Sequence, residues 1–164
     1  MKVCNFPAHI AFFLFLFFYA MIFYMIEITP EKQKIIKTMA QKYGLGLILL
    51  FGSQFTGKTR KESDFDIAYL SDKKLSFEDE GKIIMDLAKI IGARDERLVN
   101  LSDIGKAGAL LLKEIFDRHQ IIFSADQNIY DSYKIFAVKN FFDSRPLFDL
   151  RDYLIGKYFT RYAK

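Results

Sequence analysis

Twenty residues, FGSQFTGKTRKESDFDIAYL from Phe51 to Leu70, hold the chain's densest chemistry. Gly52-Ser53 is followed, after ten residues, by Asp64-Phe65-Asp66. A glycine lets the backbone come close to a phosphate. A serine hydroxyl and the amides of a turn can bind triphosphate oxygens. Two aspartates two apart on a strand point to one face and repel unless cations bridge them. Mg²⁺ accepts one or two carboxylates and completes its shell from substrate phosphates. A pair of such ions can stabilise the attacking and leaving oxygens of an in-line displacement. The pattern therefore predicts nucleoside triphosphate at Gly52 and Ser53, and Mg²⁺ at Asp64 and Asp66, which are also the candidate catalytic residues.

The same stretch satisfies a second phosphate pattern. Gly52 through Thr59 matches GxxxxGK[ST], the P-loop. A P-loop must open a long helix whose N-terminus holds the phosphates. Arg60-Lys61-Glu62-Ser63-Asp64 offers no apolar residue for such a helix to bury, and a strand follows almost at once. A helix of three turns needs about eleven residues. Nor is there a clear later aspartate to complete that site. Gly57-Lys58-Thr59 is therefore expected to be a surface loop, and a P-loop ATPase is the least favoured function. Asp-x-Asp alone suits a solvated strand edge, and Gly-Ser alone an ordinary turn. Their joint spacing between two apolar strands favours the nucleotide site.

The elements around the motif alternate. Thr29-Pro30-Glu31 opens a helix with Ile35, Ile36, Met39 and Tyr43 at helical spacing, and Gly44 ends it. Leu45 to Phe51 is an unbroken apolar run, a buried strand. Phe65 to Leu70 is a second strand. Ser76 with Asp79 resembles a capping box before a helix whose apolar face is Ile83, Ile84, Leu87, Ala88 and Ile91. Arg97 to Leu101 is a third strand, Asp103 caps a helix through Leu110, Leu111 and Ile115, and Gln120 to Phe123 is a fourth strand. Two tail helices are expected, about Gln127–Phe142 and Pro146–Phe159, separated at Asp143-Ser144-Arg145. The fold class is α/β (α+β), a small mixed sheet flanked by helices.

A chain of 164 residues suits one domain with an appendage. The appendage is residues 1–26, leaving 27–164 as the domain with its helical tail. Ala8 to Ile26 holds no charge and six phenylalanines, enough at ~1.5 Å per residue to cross a hydrocarbon core of ~30 Å as an apolar helix. Two readings stand: a single N-terminal membrane anchor, or a true start at Met25, which precedes the soluble-looking Ile-Glu-Ile-Thr-Pro-Glu-Lys. Membrane contact is expected only through residues 8–26, and the location is otherwise cytoplasmic. Lys2 is the only charged residue in 1–26, so the remainder carries +3 against +4 for the whole chain. That charge gives no case for direct nucleic-acid binding. Cys4, the only cysteine, forms neither an internal disulfide nor a cysteine metal cluster.

The motif resembles that of the minimal nucleotidyltransferases, the MNT proteins of the polymerase β superfamily. Leu98-Val99-Asn100-Leu101, Glu114-Ile115 and Gln120-Ile121-Ile122-Phe123 resemble that family's strand–helix–strand continuation, and Phe141 to Leu147 resembles the tail of MNT antitoxins paired with HEPN toxins. The resemblance covers roughly residues 30–160. It implies a polymerase β-type fold, a Gly-Ser turn for ATP, an Asp-x-Asp for Mg²⁺, and transfer of AMP from ATP to a tyrosine of a HEPN-type toxin, an RNase.

One departure bears on activity. The family's third metal-binding aspartate aligns with Arg97, with Asp95 of the same strand parity nearby. This favours a rival reading, a catalytically weak protein that neutralises its partner by binding alone. His119 is expected in a left-handed turn after a helix rather than in catalysis. Lys58, Arg60 and Lys61 form a basic cluster beside the motif that could attract ATP or an acidic partner face. The tail aromatics, including Phe136, Phe141, Phe142, Phe148 and Tyr153, are expected chiefly to pack.

Overall fold

The computed structural model describes residues 26–52 and 64–162. The expected apolar N-terminal helix, Ser53, the Gly57-Lys58-Thr59 loop and the basic cluster lie outside them. The elements are helix α1 (Pro30–Tyr43), strands β1 (Leu45–Phe51) and β2 (Phe65–Ser71), helix α2 (Phe77–Ile91), strand β3 (Val99–Asp103), helix α3 (Ala109–Asp117), strand β4 (His119–Ser124) and helix α4 (Gln127–Tyr162). A short 3₁₀ turn, Glu96–Leu98, leads into β3.

The helix ends follow local hydrogen bonding. Thr29 Oγ1 accepts from the Lys32 N–H, Pro30 opens α1, and Gly44 closes it at φ 66°. At Gly44 the backbone is left-handed, which favours glycine; an added Cβ would stand 2.0 Å from Oδ1 of Asp72, an exposed side chain that can swing aside. Ser76 and Asp79 make the expected reciprocal box at the start of α2. The Asp79 N–H donates to Ser76 Oγ at 3.1 Å, and the Ser76 N–H donates to Asp79 Oδ2 at 3.2 Å.

The sheet order is β3–β2–β1–β4. β1 is antiparallel to both β2 and β4, and β2 is parallel to β3. β1 is apolar throughout because both its faces are covered. Ile48 and Leu50 join Ile67, Tyr69 and Val99 beneath α1 and α2. Leu47, Leu49 and Phe51 join Ala68, Leu112 and Ile115 beneath α3 and α4. Among the described residues, Gln120 is the one buried polar residue. It clasps the chain entering α1: its Oε1 accepts from the Ile26 N–H at 2.8 Å and its Nε2 donates to the Ile26 carbonyl at 2.7 Å.

Four expectations are corrected. The third strand begins at Val99, not Arg97, because Asp95 caps the 3₁₀ turn by accepting from the Arg97 N–H and delays entry into the sheet. Asp103 ends β3 and accepts from the Gly105 N–H at 2.9 Å, so α3 starts later, at Ala109, with Gly108 as N-cap and no side-chain cap. His119 is no left-handed turn residue. Among the described residues only glycines have positive φ, and the chain passes from α3 through extended Arg118 straight into β4. The tail is one helix of 36 residues running through Pro146. Proline removes one backbone hydrogen bond there; Phe141 and Phe148 flank it with tilted rings, centroids 5.9 Å apart.

Beyond Ala137 the helix buries almost nothing. Phe136, Phe142 and Tyr153 are exposed rather than packed, as are Leu150, Leu154, Tyr158 and Phe159. Among the described residues no helix is long and apolar enough to cross a membrane.

Candidate nucleotide and metal site

Phe51 pairs with Asp66 across the β1–β2 ladder. The end of β1 and the start of β2 therefore lie side by side, joined by the motif itself. Two antiparallel neighbours need no crossover helix, whereas the P-loop serves a strand that leads into one. The topology thus agrees with the nucleotide site built on Gly-Ser and Asp-x-Asp, and not with the P-loop.

Gly52 has φ 83°, and an added Cβ would lie 2.2 Å from Asp66 Oδ2. Any other residue would both strain the backbone and strike the carboxylate. Asp66 belongs to β2 and alternates with Phe65 and Ile67, which pack toward α1 and α2, so it faces the α3–α4 side together with Ala68. Asp64 immediately precedes the strand and is exposed. Burial raises the Asp66 pKa above the usual carboxylate value. The Asn100 hydrogen bond partly opposes this, and the negative charge of Asp64 adds to the rise. A carboxylate held in that state gains from a neighbouring cation.

The parallel register pairs Asp66 with Asn100. The Asn100 Nδ2 donates to Asp66 Oδ1 at 3.3 Å. Arg97 and Asp95, which the sequence puts forward for the third carboxylate position, are not beside Asp66 in this register. They are ion-paired with each other at 2.7 Å in the exposed turn. Asn100 is thus the residue the sequence reading missed. Its signal was present in Val-Asn-Leu, where a polar residue interrupts an apolar strand, but only the register shows what it faces.

β4 extends the row: His119 pairs with Phe51. Asn100, Asp66, Phe51 and His119 therefore lie in one line across all four strands, with Phe51 between the carboxylate and the imidazole. His119 Nε2 is 3.1 Å from the Tyr130 hydroxyl, and its ring meets Phe116 edge-on. Burial lowers the His119 pKa, and the Lys134 charge lowers it further. The register sets Phe51 between the His119 imidazole and the Asp66 carboxylate.

Of the four predicted site residues, Gly52, Asp64 and Asp66 come together at one end of the β1–β2 ladder, and Ser53 lies outside the described residues. Asp64 and Asp66 suit one divalent ion whose remaining ligands come from phosphates and water. Among the described residues no group of three or more His, Cys, Asp or Glu side chains could hold a metal. Among the described residues this strand end therefore offers two carboxylates, Asp64 and Asp66, and no third.

Comparison with known proteins places this geometry. The family model described as polymerase beta, nucleotidyltransferase matches residues 33–128, more than half of the chain. A crystal structure of a toxin–antitoxin with AMP-PNP is similar at 24% identity and TM-score 0.55, covering 76% of this chain and 96% of that one. A mutant MntA toxin–antitoxin structure is similar at 25% identity and TM-score 0.56, with 77% and 96% covered. A tri-AMPylated HEPN toxin of Shewanella oneidensis in complex with its MNT antitoxin is similar at 20% identity and TM-score 0.54, with 77% and 94% covered. No curated protein matches the chain. With the matched model spanning α1 to the start of α4, and with a mixed four-stranded sheet shared with MNT antitoxin structures, the chain belongs to the polymerase β nucleotidyltransferase family.

Proposed function

We propose that this protein is a Mg²⁺-dependent protein adenylyltransferase that acts as an antitoxin, moving AMP from ATP to a tyrosine of a HEPN-type RNase toxin. The observation that carries the reading is the joint placement of Gly52 and Asp66. A bare Cα lies against a half-buried carboxylate at the strand end where triphosphate is expected. Further support comes from similar structures, one holding AMP-PNP and one containing a tri-AMPylated HEPN toxin with an MNT antitoxin.

In this reading Gly52 and Ser53 bind the triphosphate, and Asp64 and Asp66 hold Mg²⁺. The bound ion would offset phosphate charge and make the α-phosphorus more electrophilic. The chain orients the triphosphate so that the partner's tyrosine oxygen meets the α-phosphorus in line. The new O–P bond forms as the bond to the bridging oxygen breaks, pyrophosphate leaves, and the tyrosine proton passes to solvent. Asn100 holds Asp66 Oδ1 in place throughout. The exposed apolar surface of α4, with Phe142, Leu150, Leu154, Tyr158 and Phe159, supports a protein partner.

A second reading is neutralisation by binding alone. It is favoured by the neutral Asn100 in the line that holds Asp66. Incubation with a HEPN-type toxin encoded beside this protein and α-labelled ATP separates the two. Label on the toxin that disappears in Asp64→Ala and Asp66→Ala supports transfer. Neutralisation without label, unaffected by those substitutions, leaves binding alone.

A further inference from the structure

We infer that Asn100 makes divalent-cation binding at Asp64 and Asp66 conditional on a bound nucleoside triphosphate; this rests on the nucleotide reading above. Three observations carry it. Asn100 is the register partner of Asp66 on the neighbouring parallel strand, so its side chain has the same outlook. Its amide nitrogen donates to Asp66 Oδ1 at 3.3 Å. No third carboxylate, histidine or cysteine joins the pair among the described residues.

The orientation of the amide follows from charge. Turned over, its oxygen would face the carboxylate oxygen, and two acceptors would repel. With the N–H toward Asp66, one of the aspartate's lone pairs is occupied by a neutral donor. Among the described residues, a cation arriving alone then meets two carboxylates, one of them exposed and the other already hydrogen-bonded. Mg²⁺ gives up water reluctantly and is typically held by one or two carboxylates together with substrate phosphates. The triphosphate supplies the missing anionic oxygens, so cation and nucleotide enter as a unit.

The same amide stabilises the empty site. A carboxylate at position 100 would put a second negative charge within hydrogen-bond reach of Asp66, next to Asp64. Without a cation those charges repel; with one, they become a three-carboxylate cage. Asn100 therefore exchanges cation affinity for a site that stays folded while empty.

The test uses the full chain and Mn²⁺ as the probe ion, read by its paramagnetic signal and by thermal melting, with and without a non-hydrolysable ATP analogue. After subtraction of the Mn²⁺ that the analogue binds in free solution, the wild type should bind Mn²⁺ weakly alone and on the order of tenfold more tightly with the analogue. Asn100→Asp should bind Mn²⁺ alone on the order of tenfold more tightly than wild type. It should also melt lower than wild type without the ion and recover when Mn²⁺ is added. Asn100→Ala, which removes the hydrogen bond and adds no charge, should show neither the gain in affinity nor the rescue.

The proposal is overturned by wild type that holds Mn²⁺ alone as tightly as with the analogue, or by Asn100→Asp and Asn100→Ala that bind the ion alike. If Asn100→Asp does not fold without the ion, folding restored by Mn²⁺ supports the proposal and failure to fold with it overturns the proposal. Binding of a fluorescent ATP analogue to the wild type is followed separately. No analogue bound sinks the nucleotide reading and the conditional coupling with it. Analogue bound with no cation enhancement sinks only the role given to Asn100.

Discussion

The Asp66 carboxylate lies so close to the bare Cα of Gly52 that a Cβ built there would stand 2.2 Å from Oδ2. The glycine is required twice, by its φ of 83° and by the acid beside it. Gly52→Ala is expected to cost about 1–2 kcal/mol from the left-handed backbone alone, before any displacement of Asp66. Urea unfolding checks the stability. A fluorescent ATP analogue should also bind more weakly, because the turn and the carboxylate move together.

Asp66 gives a pH dependence of definite sign. Its pKa is raised in the fold, first by burial and then by Asp64, against the opposing Asn100 bond. The folded state therefore takes up this proton more readily than the unfolded chain. The resulting stability is present below the ordinary carboxylate pKa of 3.8 and is lost as pH rises through the raised value. At neutral pH, without divalent cation, the ionised group destabilises. Asp66→Asn should raise the melting temperature there, flatten this part of the pH profile and abolish AMP transfer. A lower melting temperature than wild type at neutral pH would contradict it.

His119 should titrate in the opposite sense. Burial, and then the Lys134 charge, lower its pKa from 6.5. The unfolded chain takes up the proton first, so the contribution is present above pH 6.5 and is lost as pH falls through the lowered value. Imidazole NMR should show a midpoint below 6.5 for His119, which is assigned by comparison with His119→Gln because His9 is the other histidine. The variant should also weaken the acid-side loss of stability.

The Gln120 clasp on Ile26 is a test of the fold away from the chemistry. Gln120→Leu keeps the bulk but leaves the Ile26 N–H and carbonyl without their partners. The expected cost is about 1–3 kcal/mol in denaturant unfolding. Amide exchange at Ile26 should accelerate, while binding of a fluorescent ATP analogue stays near wild type.

Much of this molecule could be read from short-range chemistry. Thr29-Pro30, Gly44, and Ser76 with Asp79 set helix ends through hydrogen bonds spanning a few residues, so their residue types announce them. β1 was legible as an unbroken apolar run because both of its faces are buried. Asp66 falls on β2 as its place in the Asp-x-Asp spacing suggested, whereas Asp64 stands just before the strand.

The tertiary structure decided what depends on pairing between distant segments. Asn100 rather than Arg97 stands beside Asp66 because the parallel register pairs Phe65 with Val99 and Asp66 with Asn100, leaving Arg97 in the 3₁₀ turn before β3. His119 became a strand residue because β4 needed it opposite Phe51. The helix continues through Pro146, with the Phe141 and Phe148 rings in contact across it. Local chemistry chose the motif; register, a non-local property, chose the neutral amide that faces its carboxylate.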